Sequence, residues 1–197
     1  MLRTRYIGLL VIGMVLAVGC EHRAPVPTMD AVRAEEEPDQ ESWGVHFYVT
    51  EVPLGSEASR MRMEMIADYM AQYEQGDSSY QVLHSDPDSL HHRVLVHLFD
   101  AQGDASATLT ADRVYYYERD KRFEAEGNVV VVTKDLKRLE SEHLIWLEEE
   151  RKVRTPGFVN MVTSTKQVQG YGLVADEDLA TYRLGRVTAQ VRVEDEE

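Results

Sequence analysis

The chain has 197 residues, 35 of them acidic against 21 basic, a formal net charge of −14 and a hydrophobic content of 43%. That length suits one domain with a leader and a tether and excludes a second full domain. The acidity and the lack of any basic patch exclude a nucleic-acid binder, which needs clustered Lys and Arg to follow phosphates.

Arg3 and Arg5 precede an apolar stretch from Tyr6 to Val18, the basic and apolar regions of a processing signal. The stretch falls short of the roughly 20 apolar residues that a helix needs to span a bilayer core, and charge returns at Glu21. Leu16-Ala17-Val18-Gly19-Cys20 resembles a bacterial lipobox. That implies a signal peptide over 1–19 and acylation of Cys20, where each buried methylene adds about 0.8 kcal/mol of membrane affinity. The other reading is an uncleaved anchor helix with an incidental cysteine. Cys20 is the single cysteine, so no intramolecular disulfide can form. Residues 20–41, with Pro25, Pro27 and Glu35-Glu36-Glu37-Pro38, bury too little to offset the entropy of ordering and read as an acidic flexible linker.

From 42 to 193 the dominant signal is apolar alternation with period two in short runs, broken by turn residues, which predicts an all-β domain. Val45, Phe47 and Val49 alternate with His46, Tyr48 and Thr50. Met61, Met65, Ile66, Tyr69, Met70 and Tyr73 fit a helical stripe, while Met61, Met63 and Met65 fit a strand; we read a strand and then a turn. Val94, Val96 and Leu98 mark another strand before the Asp100-Ala101-Gln102-Gly103-Asp104 turn. His84, His91, His92 and His97 crowd this region without zinc-like spacing, so no metal site is expected.

The centre of the chain repeats. Leu109-Thr110-Ala111-Asp112 overlays Leu139-Glu140-Ser141-Glu142; in the same register Val114 and Tyr116 fall on Leu144 and Trp146, Phe123 on Val153, Gly127 on Gly157, and Val129 and Val131 on Val159 and Met161. A third, less regular copy starts at Leu173-Val174-Ala175-Asp176 and continues through Tyr182 and Val187. Such repeats imply stacked two-strand units sharing one core, with the two glycines at bends or close approaches. The inward-facing set is then Leu109, Ala111, Val114, Tyr116, Phe123, Val129, Val131, Leu139, Leu144, Trp146, Val153, Val159 and Met161. Alternation alone leaves open whether they fill a closed core or line an open groove. Residues 194–197 read as an acidic tail.

No nucleophile elbow, phosphate-cradling loop or dinucleotide fingerprint occurs, and Asp176 and Asp178 read as turn acids, so the chain is expected to be neither an enzyme nor a cofactor binder. The strings from Pro38-Asp39-Gln40-Glu41-Ser42-Trp43 through Ser106–Asp112, Glu124–Val131 and Leu139–Trp146 to Gly170–Asp176 resemble the LptC family of lipopolysaccharide-export proteins and the wider OstA-like group. The resemblance implies a twisted, open β-jellyroll at the periplasmic face of the inner membrane, here anchored through Cys20. In that reading the lipid A acyl chains of lipopolysaccharide pass from an ABC transporter's membrane subunits into an apolar groove, for which the thirteen residues are candidates. They then move on to a periplasmic bridge protein. Edge strands near Gly44–Thr50 and Val187–Val193 would pair with these partners. The rival reading is a structural envelope lipoprotein with a filled core that binds no lipid.

Overall fold

The computed structural model describes residues 37–192 except 54, 56, 77, 87 and 89–91. Cys20, the expected signal peptide, most of the expected linker, His91 and the acidic tail lie outside the described residues. The described residues form strands and turns without a helix: β1 (Gln40–Glu51), β2 (Arg60–Gln75), β3 (Ser78–His84), β4 (Val94–Phe99), β5 (Ala105–Ala111), β6 (Arg113–Tyr117), β7 (Arg122–Thr133), β8 (Arg138–Leu147), β9 (Lys152–Val162), β10 (Lys166–Asp176) and β11 (Tyr182–Arg192). All pairings are antiparallel. The all-β domain expected from the alternation forms, as one large antiparallel sheet consistent with the β-jellyroll that the resemblance implies.

The sheet forks. One end of β2 pairs with β4 and the other with β3, while β7 pairs with β5 at one end and with β6 at the other. The β4–β5 half and the β3–β6 half therefore belong to two layers, and β1, β2 and β7 to β11 run from one layer into the other. The crossings of β7, β8 and β10 leave irregularities in the ladder, at Glu126/Val129, Ser141/Ile145 and Tyr171/Leu173. There the strand bends and the buried set changes phase, as bulges allow.

Asp112 sits at the fork, between β5 and β6. Its amide donates to the carbonyls of Glu126 and Gly127, and its carboxylate accepts from Asn128 Nδ2 at 2.8 Å and pairs with Arg93 Nε at 3.3 Å. Gly127 is held there at φ +75°, and a Cβ would fall 2.4 Å from Asp112 Oδ2, so only glycine fits. Gly157 has no such backbone conformation; its constraint is a neighbouring Thr155 Oγ1 at 3.3 Å from the position of a Cβ.

The repeat is real in space for its first two copies: the inward positions of β5–β6 recur buried 30 residues on in β8, and those of β7 in β9, although Tyr115 and Glu124 are buried where Ile145 and Arg154 are not. The third copy is shifted from the alignment read in the sequence. Val168, Gly170, Leu173 and Ala175 occupy the places of Leu139, Ser141, Leu144 and Trp146, so Leu173 does not stand over Leu139.

The methionine segment is a single strand through Gln75. Met63, Met65 and Ala67 are buried, and the next side chain packed on the core is Met70. The change of face where β2 changes layers produces the spacing that mimics a helix. β1 and β11 each pair on one side only among the described strands, leaving two open sheet edges.

Candidate functional site

The thirteen inward candidates all lie in the buried core. In the first layer Leu109, Val131, Leu139 and Met161 are successive cross-strand partners, forming one apolar row. Ala111, Val129 and Val159 lie in that layer beside it. In the second layer Tyr116, Phe123, Trp146 and Val153 form the matching row, with Val114 and Leu144 beside it. The layers touch where Phe47 of β1 meets Tyr116 of β6, ring centres 5.9 Å apart.

Between the rows the interior is nearly full. The free space bounded by Leu98, Leu109, Phe123, Val131, Leu139, Leu144, Trp146, Val153 and Leu179 is about 20 Å³, enough for roughly one water. An acyl chain does not fit this space as it stands, so something must move to admit one. Two polar groups sit among these apolar walls. Trp146 Nε1 is buried without a hydrogen-bond partner among the described residues. The Tyr116 hydroxyl is pushed up to about 12 by burial and, secondarily, by the charges of Glu148 and Glu118.

The gap leads toward the turn ends of the two layers, where a cleft of about 560 Å³ opens between Asp100, Ser106, Lys134 and Lys137 on one side and Arg151, Glu177 and Asp178 on the other. Arg62 lies beside it, lining a neighbouring hollow with Glu51, Lys121, Glu148 and Arg151. The register of β1 against β2 skips Arg62, with Val49 opposite Met63 and Thr50 opposite Met61. It is thus the extra residue of a bulge, which re-aims its side chain. Only 3% exposed, its guanidinium stands 3.6 Å from Glu51, 3.9 Å from Glu148 and 3.4 Å from Glu177. It donates to the Phe99 carbonyl at 2.7 Å and lies 5.8 Å from the Trp146 ring centre. Burial pushes the Glu148 carboxyl up, against the opposing pull of Arg62 and then Lys121.

Of the crowded histidines, His84 meets Tyr69 with tilted rings 4.7 Å apart, and partial desolvation against its neighbours followed by the Arg113 charge lowers its pKa. Among the described residues one trio, Glu124, Glu126 and His143, brings its ligand atoms within 4.8 Å of one another. Glu124 is already paired with Arg122 at 3.0 Å. Asp178 lies in the turn after β10 as expected, but Asp176 is the last residue of that strand, paired in register with Lys152.

Sequence reasoning did not find Arg62, Glu148, Glu177 or Leu179. Arg62 alternates with methionines and reads as an outward residue, and only the bulge reveals otherwise. The turn acids look like any solvated hairpin.

The sequence model of the family described as "Lipopolysaccharide-assembly, LptC-related" matches residues 56–192, from just before β2 to the end of β11. The chain belongs to the LptC family. Comparison with curated proteins gives no match. Membership assigns the chain to lipopolysaccharide transport, in a family of transport proteins that works at the periplasmic side of the inner membrane alongside partner proteins of the export system. β1 lies outside the matched span, although its register with β2 continues the jellyroll of this LptC-family chain.

Proposed function

We propose that the domain carries lipopolysaccharide by sheltering its acyl chains between the two apolar rows. In this reading the domain receives them from the membrane subunits of an ABC transporter and passes them to a periplasmic bridge protein. One observation carries the reading: in a lipopolysaccharide-assembly family, the repeat builds two facing walls of apolar side chains whose ends reach a cleft. Burial of apolar surface contributes about 25 cal/mol per Å², so walls of this length can offset removal of fatty chains from a membrane. The net charge of −14 opposes phosphate binding, so the chains supply the affinity.

The open edges of β1 and β11 are the docking surfaces by edge pairing. The last half of β11 is uncovered, with Val187 54% and Val191 59% exposed, which suits a strand that a partner completes. Acylated Cys20 holds the domain at the inner membrane after removal of residues 1–19, with residues 20–41 as the tether.

The test is Trp146 fluorescence on titration with lipid A, in a Trp43→Phe background because Trp43 is the only other tryptophan. A saturable change is expected, retained with dephosphorylated lipid A. A large loss of binding on dephosphorylation would contradict the role given to the chains. A second reading, a scaffold that binds no lipid, is favoured by the nearly full interior; it requires that Trp146 ignore lipid A altogether.

A further inference from the structure

The turn between β10 and β11 reaches across the cleft into the interior. Leu179, at its tip, is 2% exposed and lines the gap beside Phe123, Trp146 and Val153. Its backbone stands at φ +54°, a left-handed conformation costly for a branched side chain and natural to glycine. Leu136, in the turn between β7 and β8, adopts φ +61° but is 79% exposed. The two turns make the same backbone demand, yet only Leu179 has its side chain drawn into the core.

The two residues just before Leu179 tie this turn to neighbouring elements. Glu177 accepts from Arg62 of β2 at 3.4 Å and from Arg151 at 3.0 Å; the Asp178 carbonyl accepts from Lys137 Nζ, beyond β7, at 3.2 Å. Within the turn, the Leu179 amide donates to the Asp176 carbonyl at 2.9 Å. A strained backbone held only by polar ties and one buried side chain is a segment poised between two positions.

We propose that the Glu177–Leu179 turn is a lid on the interior, with Leu179 as its plug and Arg62 and Lys137 as its latches, and that an acyl chain enters by displacing it. The lid deepens the function proposed above and rests on it. Displacing Leu179 would join the gap to the charged cleft, giving a fatty chain a route while the polar end of the lipid stays in water. The Trp146 ring, close to both Arg62 and the gap, would sense the event.

The experiment uses the full chain carrying Trp43→Phe and follows Trp146 fluorescence after rapid mixing with dispersed lipid A. Leu179→Gly relieves the strain and removes the plug, and Glu177→Gln weakens the latch. Each is expected to raise the rate of the fluorescence change, Leu179→Gly by roughly tenfold or more given the buried leucine lost. Leu136→Gly, with the same backbone change outside the cleft, should leave the rate within about twofold. If lipid A binds the parent and all three variants at one rate, the lid is wrong while the acyl-chain reading stands. If lipid A moves the fluorescence of none of them, both fall. Should Leu179→Gly fail to fold, hydrogen exchange at the Leu179 amide of the parent decides. Loss of protection on adding lipid A supports the lid, and unchanged protection alongside a Trp146 response overturns it.

Discussion

Replacing Phe123 with alanine is expected to lower the stability of the domain by about 3–5 kcal/mol, the range for deleting a fully buried aromatic ring. That corresponds to a fall in melting temperature of roughly 10 °C in a domain of this size. The ring is 2% exposed, stands between Tyr116 and Trp146 in the second-layer row, and meets Trp146 edge-on at 6.5 Å. It also borders the existing gap, so its removal enlarges a cavity inside a hydrogen-bonded sheet that resists collapse. The enlarged space should be refilled by a fatty chain. Thermal melts with and without lipid A are therefore expected to show a larger recovery for Phe123→Ala than for the parent, since a ligand that binds only the folded state stabilises it by mass action. Equal shifts in both would place the lipid elsewhere.

Arg62→Leu is the second large effect. The substitution leaves Glu51, Glu148 and Glu177 facing one another without the cation they share. Removing one partner of a buried ion cluster costs about 3 kcal/mol or more near neutral pH. The sign of its pH dependence follows from Glu148. Burial already raises that carboxyl and Arg62 opposes the rise, so losing Arg62 raises it further. A group whose folded pKa lies above its unfolded value contributes its stability below the unfolded value and loses it as pH rises through the folded one. The deficit of Arg62→Leu relative to the parent should thus be small at about pH 4 and grow toward neutrality. Denaturant titrations of both proteins across that window measure it, and a deficit independent of pH would show that Glu148 does not feel Arg62.

The inward face was legible because two regularities agree. Alternation says which residues share a face, and the repeat says which faces recur, so Leu109, Leu139, Tyr116 and Trp146 could be assigned before any contact was known. The third copy was misread for a physical reason. Leu173-Val174-Ala175-Asp176 matches Leu109-Thr110-Ala111-Asp112 at three of four residues, but a strand that bulges at a layer crossing changes phase there. Leu173 lies just past the Tyr171/Leu173 irregularity, whereas Leu109 lies just before the fork at Asp112. Similar strings on opposite sides of a bend are not equivalent. Arg62 illustrates the same limit, since a bulge that inserts one residue turns an outward arginine inward. Leu179 is a leucine where the backbone suits glycine, a conflict between residue and turn visible only once the backbone conformation is known. How full the interior is depends on the distance between layers, which alternation does not encode.

The claim on which the function depends is that fatty chains travel between the two rows. Photocrosslinking during ATP-driven transport tests it most directly, with a crosslinking residue placed at inward Tyr116 or Trp146 and, for comparison, at Val130 or Ile145 on the outer face. Lipopolysaccharide adducts that form from the inward positions, require ATP and are absent from the outward pair are the predicted result. Adducts missing from every inward position, or as abundant from the outer face, would contradict it.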